Sequence, residues 1–209
     1  MKLLIKNGRV IDPVNKIDGP FDLLVDKGTI QAIESRGKLN ERNTERGKMI
    51  DANGCIVAPG FIDMHVHFRE PGFEYKETIE TGCQSAAAGG FTTVAVMPNT
   101  DPVIDNQSVT EMVQSSAKKF GIVNVLVIGA ITQGLKGEKL TEMGTLKEAG
   151  VVAFSDDGKP VMSSEVMRRA FEYSKSFNLP LIQHSEILEL TKGGCMNEGI
   201  VSTELGLKG

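Results

Sequence analysis

The sequence predicts an α/β protein in which a parallel β-sheet built from repeated βα units follows a small β-domain. Three observations carry this. Apolar, strand-like runs begin near Phe61, Thr92, Val123, Val151 and Pro180, about thirty residues apart. Helix-like stretches fall between them, near residues 77–88, 108–119, 141–149 and 164–176. Before residue 58 the pattern is different, with short strand-like pieces, turn residues and no helical period.

In chain order, Leu3-Leu4-Ile5-Lys6 ends at Asn7-Gly8, and Asp22-Leu23-Leu24-Val25 ends at Asp26-Lys27-Gly28, with Thr29–Ile33 following. Apolar runs bounded by such turns are expected to form hairpins. Residues 34–48 are charged and turn-rich, and are expected to form a solvated loop. The change at Ala58-Pro59-Gly60 divides the chain into residues 1–57, part of a small β-domain, and residues 58–209, the βα series. Ser or Thr at several predicted helix starts suits an N-cap, and Ala88-Gly89-Gly90 and Ala149-Gly150 suit helix stops. A parallel sheet covered on both faces is either an open doubly wound sheet or a closed barrel. A barrel closes with eight strands over about 250 residues, so five units would leave one incomplete.

Composition narrows the function classes. The 209 residues are 40% hydrophobic and 24% charged, which excludes disordered and collagen-like chains. A net charge of −4 supplies no basic footprint for nucleic acid and no polybasic membrane patch. Apolar stretches such as 123–131 are too short for a bilayer, which needs about 20 residues. The first residues lack the apolar core and cleavage site of a signal peptide. Cys55, Cys83 and Cys195 have no CxxC spacing, so unpaired, buried thiols in a reducing cytoplasm are expected.

The chemistry concentrates in Asp63-Met64-His65-Val66-His67-Phe68-Arg69. On a strand, i and i+2 share a face, so Asp63, His65, His67 and Arg69 are expected to point one way. Two such imidazoles can hold one divalent ion. A His-x-His pair also fits an ordinary polar strand face, but its place at the end of the first βα strand is where barrel chemistry gathers. His184, the third of three histidines, follows the fifth predicted strand. The fourth strand ends in Asp156-Asp157-Gly158, where a carboxylate could bridge two metal ions or simply make a turn. Asn99, after the second strand, suits a ligand hydrogen bond or a turn, and Arg69 suits a bidentate clamp on a carboxylate. The sequence contains no phosphate-binding glycine loop, no GxSxG elbow and no Cys/His nucleophile pair.

Taken together, HVHFREPG (His65 to Gly72), KETIETG (Lys76 to Gly82), GGFTTVAVMPNT (Gly89 to Thr100), FSDDG (Phe154 to Gly158) and QHSE (Gln183 to Glu186) resemble the bacterial class I dihydroorotases of the amidohydrolase superfamily. The resemblance runs in order through nearly the whole chain. It implies a (β/α)8 TIM-type barrel of the metal-dependent hydrolases, truncated here after about five βα units, with a small β-domain made from both chain ends. It implies a zinc-dependent cyclic amidohydrolase that interconverts N-carbamoyl-L-aspartate and L-dihydroorotate in pyrimidine synthesis. By the family pattern His65 and His67 bind one zinc, His184 helps bind a second, and an FSDDG aspartate bridges them. Spacing to His184 favours Asp157 for the bridge. His67, Arg69 and Asn99 would contact the substrate, Arg69 and Asn99 on its carboxylate. A further histidine ligand and the catalytic aspartate are expected beyond Gly209, so the 209 residues alone are expected to be inactive. The partners implied are a small-molecule substrate, a second copy in a homodimer, and aspartate transcarbamoylase.

Two rival functions belong to the same resemblance. Hydantoinases and allantoinases look much the same around HVHFREPG, but they carry a carboxylated lysine at strand four, where this chain has Asp156-Asp157. A non-catalytic scaffold subunit is expected to have lost metal ligands, whereas His65, His67 and His184 are all present. A third reading, an open α/β binding module, leaves the three strand-end histidines as coincidence.

Overall fold

Turn chemistry organises the N-terminal unit. The computed structural model describes residues 2–40 and 47–209, and the chain divides into two compact units, Met1–Gly60 and Phe61–Gly209. The first holds β1 (Leu3–Lys6), β2 (Arg9–Asp12), β3 (Ile17–Asp26), β4 (Thr29–Ser35), β5 (Lys48–Asp51) and β6 (Ile56–Val57). Their order is β5-β1-β3-β2-β6, with β4 also pairing β3. The β3–β4 hairpin turns through Lys27 and Gly28, both at positive φ (49° and 77°), a two-residue turn whose twist matches that of the strands.

The hairpin expected at Asn7-Gly8 does not form. β1 and β2 both lie antiparallel to the ten-residue β3, at Leu3–Ile5 and Arg9–Asp12, so Asn7-Gly8 is a kink between two strands running the same way. The kink is satisfied by a buried carboxylate: Asp22 accepts from Asn7 N–H (3.0 Å) and Gly37 N–H (2.7 Å). The expected 34–48 loop is shorter at both ends, because Glu34-Ser35 belong to β4 and Lys48 opens β5. Residues 41–46 of that loop lie outside the described residues.

The second unit alternates as the spacing predicts. It comprises β7 (Phe61–Val66), α1 (Ile79–Ala88), β8 (Phe91–Val96), α2 (Gln107–Phe120), β9 (Asn124–Gly129), α3 (Met143–Glu148), β10 (Val151–Ser155), α4 (Ser164–Lys175) and β11 (Leu181–Ile182). Two short helices the sequence did not suggest follow, α5 (Leu188–Thr191) and α6 (Ile200–Leu205). The strands are all parallel in the order β11-β10-β9-β8-β7, which leaves β7 and β11 at the edges. Helix starts follow from side-chain caps: Thr78, Asn106 and Ser163 each accept from the backbone N–H three residues on.

Side-chain alternation sorts the sheet into two faces. Val94 and Val96 of β8, Val127 of β9, and Val151 and Phe154 of β10 pack towards the helices with Ile79, Val113 and Leu146. Ala95, Met97, Ile128 and Ala153 form a smaller cluster on the opposite face, joined by Ile182. On β7, Phe61, Ile62 and Met64 remain 61%, 64% and 72% exposed, as an edge strand allows. The buried-thiol expectation holds for Cys83 alone, whose thiol burial pushes up; Cys55 and Cys195 are exposed because they sit in surface turns. Among the described residues no helix is long and apolar enough to cross a membrane.

Gly82 shows how closely α1 meets the strand ends. A Cβ there would lie 2.5 Å from the ring of buried Phe68, which directly follows His67. Gly→Ala inside an exposed helix gains about 1 kcal/mol. Gly82→Ala is expected instead to lower stability by about 1–3 kcal/mol through overpacking, measured as the urea midpoint of the protein.

Candidate metal centre

His65 and His67 converge on Asp157 although β7 and β10 are not neighbours. β8 and β9 separate β7 from β10, and at about 4.8 Å per strand a flat sheet would hold them about 14 Å apart. Yet His65 Nε2 lies 3.3 Å from Asp157 Oδ1, and His67 Nε2 lies 3.5 Å from Asp157 Oδ2. From the other edge, His184 Nδ1 comes to 3.5 Å from Oδ1. Only a strongly curled sheet permits this. Register shifts in the β7–β8 and β9–β10 pairings add the local twist that curling needs.

Each imidazole is held from behind by a different device. His65 is in β7, its backbone N–H donating to Asp63 Oδ1 (3.0 Å). His67 follows β7 and stands edge-on to His65, ring centroids 5.1 Å apart. Its Nδ1–H donates to Asn99 Oδ1 (3.0 Å), from the turn after β8. His184 Nε2–H donates to Glu186 Oε2 (3.1 Å), and Glu186 Oε1 accepts from the Thr191 hydroxyl (2.6 Å). The Thr191 bond first, and His184 second, hold the Glu186 carboxyl below its ordinary range.

These bonds fix tautomers. A carbonyl or carboxylate oxygen can only accept, so the ring proton of His67 sits on Nδ1 and that of His184 on Nε2. In the neutral rings, the His67 and His184 nitrogens that face Asp157 then carry lone pairs. Separations of 3.3–3.5 Å exceed an N–H···O hydrogen bond. They match the spacing of about 3.4 Å between adjacent ligand atoms around a tetrahedral zinc at 2.0–2.1 Å. Lone pairs facing a carboxylate repel unless a cation lies between them. The donor atoms of His65, His67 and Asp157 all fall within 4.8 Å of one another, and His184 meets the same carboxylate from outside that group. Nitrogen and oxygen donors of this kind suit zinc. The residues present fit a divalent ion.

Two other expectations meet a different geometry. Strand alternation does not govern Arg69, because β7 ends at Val66 and Arg69 adopts φ 60°. Arg69 is half-buried and makes no ion pair among the described residues. Its loop is clamped to the turn that carries Asn99: Asp101 N–H donates to Pro71 O (3.0 Å), and a Cβ on Gly72 (φ 95°) would run into Asp101 O. The expected fifth strand is also short: β11 stops at Ile182, so His184 lies in the segment beyond it.

The two adjacent aspartates have different surroundings. Asp157 meets the imidazoles. Asp156 is buried and turned to the loop after β9, accepting from Ile131 N–H (2.7 Å), Thr132 N–H (2.9 Å) and the Thr132 hydroxyl. Burial pushes its carboxyl up, against the pull of the Thr132 bonds. Sequence reasoning assigned no role to Thr132 or Glu186. For Glu186 the i, i+2 spacing to His184 was the available signal; for Thr132 there was none.

Fold and site together define the class, an amidohydrolase-type (β/α)8 barrel spanned here over five βα units. The backbone superposes on the L-hydantoinase (dihydropyrimidinase) from Arthrobacter aurescens with a TM-score of 0.76 at 23% identity, over 91% of this chain and 42% of that one. For the D-hydantoinase (dihydropyrimidinase) from Thermus sp. the TM-score is 0.69 at 27% identity, over 90% and 41%. Within that class the chain belongs to the dihydro-orotase-like family, whose sequence profile matches residues 54–209. The dihydroorotases of Geobacter sulfurreducens and Syntrophotalea carbinolica are 59% and 53% identical to it over 209 residues, 100% of this chain and 48% of each of theirs. The chain spans about half the length of the curated relatives it matches.

The separate tasks of the two aspartates are testable. Thr132→Val strips a buried carboxylate of a donor and also removes the acceptor of Gly137 N–H. The expected cost is about 1–3 kcal/mol of unfolding free energy, read by urea denaturation, with divalent-ion uptake unchanged.

Proposed function

We propose that the whole protein is a zinc-dependent dihydroorotase, closing N-carbamoyl-L-aspartate to L-dihydroorotate and water, and reversing that reaction, in de novo pyrimidine biosynthesis. The observation that carries the metal part is one carboxylate, Asp157, facing ring nitrogens of three histidines at 3.3–3.5 Å. The substrate part is supported by relatives named dihydroorotase at 53–59% identity, and by aspartates in place of lysine after β10.

In this reading His65, His67 and Asp157 would hold one zinc, and Asp157 and His184 would help hold a second. When bound, such ions supply Lewis-acid polarisation of a carbonyl and acidify water, which amide hydrolysis at neutral pH otherwise lacks. Asp157 keeps the two ligand groups in register, and its 11% exposure limits competition from solvent. Asn99 serves twice: Oδ1 orients His67, while Nδ2, which has no acceptor among the described residues, is available to a substrate carboxylate. Arg69 presents a planar two-donor fork to the same carboxylate, on a loop fastened to the Asn99 turn. The proton-transferring aspartate that the resemblance implies belongs to the half of the relatives this chain does not span.

A cytoplasmic location is proposed from the three free cysteines. Assembly as a homodimer or with aspartate transcarbamoylase rests on the resemblance alone. A hydantoinase reading is favoured by the structural neighbours, and it is weakened by Asp156-Asp157 at the end of β10, where the resemblance would put the hydantoinase lysine.

Turnover of dihydroorotate, hydantoin and allantoin by the full-length protein separates these readings. Dihydroorotate is expected to be the preferred substrate, and a higher kcat/KM for hydantoin would reverse the assignment. Replacing both His65 and His67 by Ala is expected to remove most of the bound zinc, read by elemental analysis. Arg69→Lys keeps the charge and loses the fork. It is expected to lower kcat/KM about 10- to 100-fold with zinc content intact.

A further inference from the structure

We propose that Glu186, anchored by Thr191, is a positioning residue that sets the tautomer of His184 and thereby makes Nδ1 its metal-binding atom; this rests on the metal reading above. Both Glu186 oxygens are committed, Oε2 to His184 Nε2–H at 3.1 Å and Oε1 to the Thr191 hydroxyl at 2.6 Å. The backbone ties the same pair, since Glu186 N–H donates to His184 O (3.0 Å). His184 therefore sits in a tight turn whose side chains and main chain hold one another.

His184 depends on this clamp more than the other two histidines depend on theirs. His65 lies within the six-residue strand β7, and His67 follows it directly with Asn99 behind its ring. β11 is two residues long and ends before His184, so no strand ladder holds the His184 backbone. Its ring is 34% exposed and has room to turn. Without an acceptor on Nε2, the ring proton is free to move to Nδ1, where it would occupy the position facing Asp157. Outer hydrogen bonds of this kind fix both tautomer and ring orientation in metal-ligating histidines, and losing one typically costs 10- to 100-fold in metal affinity. Thr191 extends the device to α5: the hydroxyl holds Glu186 from the opposite oxygen, so the first turn after β11 braces the ligand.

The test uses metal-free full-length protein with zinc alone as the added probe. Long-range proton–nitrogen NMR reads the ring tautomer of His184, assigned by its loss in His184→Asn, and a competition titration with a chelator reads zinc affinity. The wild-type protein is expected to carry the proton on Nε2. Glu186→Ala is expected to lose that preference and to weaken the His184-dependent zinc about 10- to 100-fold. Glu186→Gln keeps an acceptor for the ring N–H and is expected to restore both, which a merely structural or charge role for Glu186 would not do. A proton on Nδ1 in the wild type, or unchanged zinc affinity in Glu186→Ala, would overturn the proposal. Failure of the metal reading looks different: the wild-type protein takes up no zinc, and the tautomer measurement still decides what Glu186 does to His184.

Discussion

The organisation of the second unit depends on one constraint, the curl of a five-stranded parallel sheet. Residues on β7 and beyond β11, the two edges of the sheet, have to reach one carboxylate after β10. Side chains alone cannot bridge the separation a flat sheet would impose. The face opposite the helices carries Ala95, Met97, Ile128 and Ala153, and Val96, Phe154 and Leu146 pack on the helix side. The strand ends then meet without further machinery.

At the focus of the curl, hydrogen bonding and electrostatics work against each other, and the conflict is informative. Asn99 and Glu186 each accept at a ring nitrogen behind the centre, so in the neutral rings the nitrogens facing the aspartate are acceptors. In a protein built for stability alone such a site would be an unfavourable collection of acceptors. Asp156, one residue earlier, shows the ordinary solution: a buried carboxylate with donors on both oxygens. The contrast between neighbours separates an aspartate with donors on both oxygens from one that faces imidazole nitrogens. It also explains why the strand needs both, since Asp156 anchors the loop after β9 and keeps the end of β10 fixed while Asp157 faces inward.

The loops repeat this division between scaffold and chemistry. The segment after β7 is fastened to α1 through Glu70 Oε2, which accepts from Ile79 N–H (2.9 Å), and to the β8 turn through Pro71 and Asp101. Gly82 lets Phe68 seat on α1, so the residue next to His67 is part of the core. Rigid attachment of this kind is what a site needs to hold groups at ligand spacing.

The amino-acid sequence by itself determined the βα repeat, the five strand positions, most helix ends and the candidate residues His65, His67, His184 and the Asp156-Asp157 pair. These are legible because hydrophobic period, cap residues and strand parity are local properties of the chain. The sequence also carried the family likeness from which both the barrel and the metal were expected. Where local rules failed, a longer-range partner had intervened. Asn7-Gly8 is a kink because β3 is long enough to pair both flanking strands, and strand parity does not reach Arg69 because β7 ends three residues earlier. Thr132 and Asp156 are linked across 24 residues, and His67 and Asn99 across 32, by contacts that no periodicity encodes. Only the tertiary structure decided which aspartate turns inward, which ring nitrogen each histidine presents and what stands behind it. Those choices follow from how far a curled sheet brings distant strand ends together, and that distance is a property of the packed chain rather than of any segment of it.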